Sequence, residues 1–411
     1  MNLLLIFGLF PKEIEEQIFK NSKKNIQYAA NNLQWKILNG LYENLGSKSL
    51  FVLNSPFVGS YPFRYNKIFL EKSTIFSEKF QVVLGKSLPS FNLTFIKQFY
   101  VTFSMIYETL KWFKSLKRNN KKVIILYSLT ITNILTSIFI RLLFRKRLKI
   151  VIIVPDLPEF MTFSKKVNPV IRLLKIFSIR FIYSFLFIFD GFVVLTDLMA
   201  KRIIRNKPFV VIEGIADENS INHTMSNNFS VESYKPYIAY TGGLESDYGV
   251  ENLIDSFLKL NSSEFNLVIC GDGSLSDKIK KISIINSKII FLNQITSENA
   301  QKVQKNAHLL VNPRNSTLDY TKYSFPSKNL EYMVSGVPFL GYKLPGIPEE
   351  YLKHFYCIKI KSGLFDEDLK KVLSLPKKKL KMKGKSAYNF VKRYKNPKFQ
   401  TRKLIKLINK L

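Results

Sequence analysis

The sequence predicts an α/β protein of two doubly wound domains, and three observations predict it. The chain has 411 residues, beyond the size at which a single hydrophobic core keeps growing, so it divides. Short runs rich in Val and Ile alternate with amphipathic helical stretches, the pattern of parallel sheets covered on both faces. That alternation stops in a polar stretch at 217–235 and then starts again.

Taken in order, residues 3–9 read as a buried strand and 26–43 as a helix with one apolar face. Further strands fit 49–53, 123–127, 149–154 and 192–196, with helices between most of them. These make a first domain over 1–215, followed by a linker at 216–236. The second domain, 237–385, opens on a strand at 237–240 that runs into Gly242-Gly243. A helix at 250–260 leads to a strand at 266–270 that ends in Gly271-Asp272-Gly273. Strands at 288–292 and 308–311, a helix at 327–335 and a strand at 338–342 complete it. The last stretch, 386–411, is basic and helical in pattern and is expected to pack back on the first domain.

Composition narrows the function classes. Cys270 and Cys357 are too few for a disulfide framework, lack metal-ligand spacing, and read as small core residues. The 63 basic against 30 acidic residues give a net charge of +33, which attracts polyanions. No zinc knuckle, recognition helix or aromatic stacking motif accompanies that charge, which argues against a nucleic-acid partner. Basic and aromatic residues interleave at 95–122 and 141–149. Such stretches suit an anionic membrane surface, at about 1 kcal/mol per cation, and equally suit solvated faces. Residues 1–10 are apolar but run into Pro11, Glu13, Glu15 and Glu16 without a basic leader, so a signal peptide is not expected. The apolar stretches 123–144 and 170–195 are broken by Asn133 and Arg141, and by Arg172, Lys175, Arg180 and Asp190. Each divides into a strand and a helix rather than a membrane span.

Ligands of open parallel sheets bind at the carboxyl ends of the strands. In the second domain those ends carry Gly242, Gly243, Gly271 and Gly273, where a backbone without Cβ atoms allows close approach to a phosphate and serves equally as a plain turn. Asn312-Pro313-Arg314 follows another strand, and a helix then begins near Pro326 with Ser327 placed to cap it. The free N–H groups at that start form an anion site, to which Arg314 and Lys328 add charge. Glu331 lies one turn on, a carboxylate suited to a pair of ribose hydroxyls, and Gly336 with Pro338 ends the helix. The alternative is an ordinary capped helix with a surface acid.

The runs YTGGL, YGVENLIDSF, LVICGDG, IIFLNQI, LLVNPR and SFPSKNLEYMVSGVPFL resemble the C-terminal domain of retaining family-4 glycosyltransferases. The likeness is greatest to a polysaccharide-assembly branch with a PSK-x-x-E-Y-M pattern, and it covers about 237–351. LTDLMAKRI and VIEGIAD match the end of the acceptor domain. The resemblance implies a GT-B fold, two Rossmann-like domains facing across a cleft, with no bound metal or other cofactor. The donor would be a UDP- or GDP-type nucleotide-diphosphate sugar, and the acceptor a glycan or lipid-linked saccharide. Carried over, Glu331 would hold the ribose. Gly243 and the Ser327 helix start would meet the diphosphate, and the loop from Phe291 through Gln294, Asn293 included, would flank the base. The setting implied is capsule or O-antigen assembly, cytoplasmic and peripheral on the inner face of the plasma membrane.

Three positions depart from the family pattern. Tyr323 stands where it usually has a paired Glu, and Gly243 and Tyr248 stand where it has an Arg and a Lys. Arg314, Lys322 and Lys328 are the candidate replacements. On the acceptor side, Asp156 follows a strand where relatives place a His-Asp pair, with Pro155 in the His position. It either positions the acceptor hydroxyl or is a turn residue. Asn31, Asn32 and Trp35 either meet acceptor sugar or pack in the core. His223, His308 and His354 offer no convincing base. Same-face attack assisted by the departing phosphate would give retention, again by resemblance. A non-catalytic nucleotide-sugar-binding subunit and a sugar-nucleotide epimerase are the alternatives.

Overall fold

The structure is a computed structural model, and it describes residues 1–23, 26–117, 120–161, 169–217, 229–234, 236–315, 317–360 and 363–411. Two compact units divide the chain, one of Met1–Ile215 with Pro397–Leu411 and the other of Ala216–Asn396. His223 and most of the expected linker lie outside the described residues.

The first unit is built on an eight-stranded sheet in the order β10-β9-β8-β7-β1-β2-β5-β4. Its strands are β1 (Asn2–Phe7), β2 (Leu50–Asn54), β4 (Ser73–Ser77), β5 (Val82–Ser87), β7 (Lys122–Tyr127), β8 (Lys149–Val154), β9 (Gly191–Val194) and β10 (Phe209–Val211). A separate two-stranded ribbon joins β3 (Phe69–Leu70) to β6 (Ser90–Phe91). Pairing in the large sheet is parallel except between β4 and β5. The central strands are buried on both faces, Leu3, Leu4 and Leu5 alike, as unbroken apolar runs require. The helices are α1 (Glu15–Asn21), α2 (Tyr28–Leu45), α3 (Thr94–Ser115), α4 (Ile131–Phe144), α5 (Pro169–Ser184) and α6 (Asp197–Ile203). The two apolar stretches weighed as membrane spans resolve into β7 with α4 and into α5 with β9. Among the described residues no helix is long and apolar enough to cross a membrane.

The second unit has a six-stranded, all-parallel sheet in the order β13-β12-β11-β14-β15-β16. Its strands are β11 (Tyr237–Thr241), β12 (Asn266–Cys270), β13 (Ile289–Phe291), β14 (Leu309–Asn312), β15 (Phe339–Tyr342) and β16 (Tyr356–Ile358). Its helices are α7 (Val250–Leu260), α8 (Ser276–Ile285), α9 (Ser297–Asn306), α10 (Ser327–Ser335), α11 (Glu349–Leu352), α12 (Asp366–Leu373) and α13 (Lys377–Tyr394). The stretch read as one terminal helix from 386 is two: α13 ends in the second unit, and α14 (Pro397–Lys410) belongs to the first. Pro397 has no N–H to continue α13 but suits the first turn of a new helix.

Candidate functional site

Strand order in the second sheet reverses between β11 and β14, which have β12 on one side and β15 on the other. A reversal of this kind opens a crevice at the carboxyl ends of the two strands. Gly242-Gly243 leaves β11 there and Pro313-Arg314 leaves β14. They meet through Gly249, at φ 75°, where a Cβ would stand 2.2 Å from the Pro313 carbonyl oxygen. Gly249 therefore allows the loop after β11 to lie against the loop after β14.

The glycines after β12 answer to their neighbours. A Cβ on Gly271, at φ 150°, would stand 1.8 Å from the Gly242 carbonyl oxygen, and one on Gly273 would stand 2.6 Å from the Leu244 backbone. The loops are laced by backbone hydrogen bonds from Gly242 to Cys270, from Leu244 to Asp272, and from Gly271 to Asn293. Phe291, half-buried, ends β13, and Asn293 turns the chain at φ 53°, which brings the loop expected to flank a base beside Gly271. Gly243 differs from these, being exposed, and among the described residues its N–H donates to no protein group.

Helix α10 is carried to the crevice by buried polar groups. The Asn312 side chain, at the end of β14, donates to Asn329 Oδ1 at 2.7 Å. The fully buried Tyr332 accepts the Thr241 N–H at 3.1 Å, and Gln304 donates to Thr241 Oγ1 at 2.7 Å. The start of the helix corrects the sequence reading: Pro326 is the N-cap residue, Ser327 is the first helical residue, and no side chain caps the end. The Asn329 N–H donates to the Pro326 carbonyl, which leaves the Ser327 and Lys328 N–H groups to solvent or a ligand. Gly336, at φ 73°, ends the helix as read from the sequence.

Lys328 lies against the glycine pair, and Arg314 sits on the ring of Tyr248, which borders Gly243. Lys328 Cε lies 3.5 Å from where a Cβ on Gly242 would stand. Its ammonium donates to Glu331 Oε2 at 2.6 Å, which tethers that acid to the crevice with 45% of its side chain exposed. Burial works against the Lys328 charge, yet Glu331 and Tyr332 together hold its pKa above the ordinary lysine value. Burial pushes the Cys270 thiol up to about 12, with Lys328 opposing. From the other side, the Arg314 guanidinium lies 4.6 Å from the Tyr320 ring centroid and 5.4 Å from that of Tyr248, while its Nε is buried without a hydrogen-bond partner. The Tyr240 hydroxyl, which donates to the Gly243 carbonyl at 2.7 Å, is raised in pKa by burial and lowered in part by Arg314. Tyr248 thus carries a cation on its ring. Lys322 pairs with Asp319 at 2.8 Å, and Tyr323 closes that turn.

The remaining sequence candidates lie in the first unit. Asp156 is exposed just past β8, and burial followed by its field raises the pKa of Tyr127, at the end of β7. Asn31 is a structural residue, its Oδ1 taking the Phe10 N–H at 2.8 Å, while Trp35 donates to the Phe10 carbonyl and Asn32 is exposed. In the second unit, His308 packs on Phe265, and His354 stacks on Phe390 and bonds Ser386. Burial lowers the pKa of both. The residues missed by sequence reasoning are Asn329, Thr241 and Tyr332, and Asn312 was named without its bond to Asn329. Their only sequence signal is polarity at a strand end and on a buried helix face.

Residues 224–390 match the family Glycosyl transferases group 1. No protein of curated function matches the chain in sequence. Sucrose-phosphate synthase from Thermosynechococcus elongatus is 11% identical, with a TM-score of 0.63 over 100% of this chain and 99% of that one. HepE from Anabaena, in complex with UDP, is 11% identical with a TM-score of 0.61 over 100% of both chains. The trehalose 6-phosphate synthase of Burkholderia multivorans is 10% identical with a TM-score of 0.62, over 100% of this chain and 96% of that one. At these identities the likeness shows the fold, two Rossmann-like sheets of the GT-B type. The match to the glycosyltransferase group 1 family lies in the second unit and supports glycosyl transfer from a nucleotide sugar.

Proposed function

We propose that the chain moves a hexose from a nucleotide-diphosphate sugar to a glycan or lipid-linked saccharide, with retention, in cell-surface polysaccharide assembly. The observation that carries this reading is Lys328 against Gly242 at the switch point, with Arg314 on the Tyr248 ring that borders Gly243 and Glu331 tethered to Lys328. A diphosphate seated on Gly243 takes its open N–H, the uncapped start of α10 and the Lys328 ammonium. Arg314, carried on Tyr248 and Tyr320, supplies the cation that the sequence lacks at positions 243 and 248. Glu331 keeps lone pairs exposed for the ribose hydroxyls, and the loop at Phe291–Asn293 borders the base.

The chemistry follows from charge. As the bond from the anomeric carbon to the diphosphate breaks, negative charge grows on the phosphate oxygens and positive charge on the sugar. Fixed cations and N–H groups stabilise the first more in the transition state than in the ground state, which is what accelerates the reaction. The departing phosphate oxygen is then the base nearest an acceptor hydroxyl on the same face, and this gives retention. The acceptor-side candidate is Asp156, exposed in the first unit just past β8.

Turnover with a panel of UDP- and GDP-sugars tests the reading, UDP-sugars first. Arg314→Ala and Lys328→Ala are each expected to lose about 10²–10³ in donor turnover, the usual cost of one transition-state donor. Wild-type turnover in both variants would sink the assignment. Intact nucleotide binding with no turnover of any donor by the native chain would favour the non-catalytic subunit instead, for which the Tyr at 323 is the motivating departure.

A further inference from the structure

We propose that the exposed apolar faces of α3, α4 and α5 form one docking surface for a bilayer containing anionic lipid, an inference that goes beyond the donor-site reading and does not rest on it. The three helices adjoin, α3 against α4 and α4 against α5. On α3, Phe99, Phe103 and Tyr107 recur at four-residue spacing and are 63%, 66% and 57% exposed, so they form a stripe on one face. Leu142 and Leu143 also stand exposed at the end of α4. Helix α5 is the strongest case. It buries only Ile182, and its first half presents Leu173, Leu174 and Phe177 to solvent along with nearly every neighbour.

With one side chain fully buried, α5 leaves most of its apolar surface uncovered among the described residues. Patches of this extent mark a partner rather than ordinary surface. Charge identifies the partner. Helix α5 carries Arg172, Lys175 and Arg180 with no acid, and Arg145 and Arg147 stand exposed just after α4. The acid on α3, Glu108, is held by Lys86 at 2.7 Å. Self-association would lay this cationic face on its own copy, like charge against like. An anionic bilayer accepts both components, the rings and Leu side chains below the headgroups and the cations among them. No described helix is long and apolar enough to span, so the helices lie in the interface plane.

The test is cosedimentation of the full chain with vesicles of phosphatidylcholine, alone or mixed with phosphatidylglycerol, at low and high salt. Binding is expected to the mixed vesicles and to weaken with salt. A chain carrying Leu173→Ser, Leu174→Ser and Phe177→Ser together is expected to lose at least about tenfold in that binding while retaining its circular dichroism and its donor turnover. Arg172→Glu with Arg180→Glu, which leaves the apolar stripe intact, is expected to weaken binding to the mixed vesicles and serves if the triple variant misfolds. Equal binding to neutral vesicles would overturn the proposal, as would wild-type binding in either variant. So would light scattering that shows a native dimer dissociated by the triple substitution, since the face would then serve a second copy.

Discussion

Among the glycines of the crevice, Gly271 and Gly243 serve different ends. Gly271 lies at φ 150° with its missing Cβ 1.8 Å from the Gly242 carbonyl oxygen, so it is glycine because two backbones touch. Gly243 would meet only the Tyr248 ring, at 3.0 Å, and keeps its N–H open. Gly271→Ala is therefore expected to part the loops after β11 and β12 and to shift Gly242, against which Lys328 lies. Backbone strain and overpacking together make the cost about 2–4 kcal/mol. Urea denaturation would read that loss, and a UDP titration would read weakened binding. An unchanged midpoint would mean that the loops yield without strain. The place of these glycines after strands allowed either phosphate contact or a plain turn, and sequence has no means of showing that a strand-end glycine faces another backbone rather than a ligand.

At the scale of the element, α10 was legible from end to end because its determinants are local. Apolar residues at helical spacing, a proline before it and Gly336 with Pro338 after it bound 327–335 without any knowledge of the fold. The cap was misread by one position. Pro326 takes φ −73° and ψ 102° and its carbonyl accepts the Asn329 N–H, which places it before the helix and leaves Ser327 inside. What orients the helix was not legible at all. Asn312 to Asn329 and Thr241 to Tyr332 are pairs formed only once the sheet has its register. Two edge strands, β10 and β16, escaped for a related reason, each holding three residues, whereas the equally short β13 was legible because Leu292 extends its apolar run. The Asn pair makes a direct prediction. Asn329→Ala leaves the Asn312 amide buried and unbonded, which costs about 1–3 kcal/mol. Asn312→Ala is expected to cost a similar amount and the double variant less than the sum, because the partner lost second was already idle. Additive losses in chemical denaturation would show that the two side chains do not act as a pair.

Across the whole molecule, the chain leaves the first unit at Ile215 and returns to it at Pro397, so that unit needs both ends of the sequence. The return is a core contribution rather than a surface tie. Leu404, Leu407 and Ile408 of α14 join the cluster that holds Ile37, Leu38 and Leu41 of α2. The fit along α14 is close, because a Cβ on Gly40 would stand 2.3 Å from the Pro397 carbonyl oxygen. Polar contacts fix the register: Asn44 Nδ2 donates to Thr401 Oγ1, and Lys121 Nζ donates to the Ile408 carbonyl. Each of the three apolar side chains contributes about 1.5–3 kcal/mol on burial, and their joint loss approaches the whole stability of a typical domain. A chain ending at Asn396 is therefore expected to lose the calorimetric transition of its first unit, or to show it at far lower temperature. The second unit, whose own core contains none of these residues, is expected to melt as before and to bind UDP. A truncated chain with both transitions in place would show that α14 adds nothing to the first core. Loss of both transitions together would show instead that the two units do not fold as separate cooperative bodies.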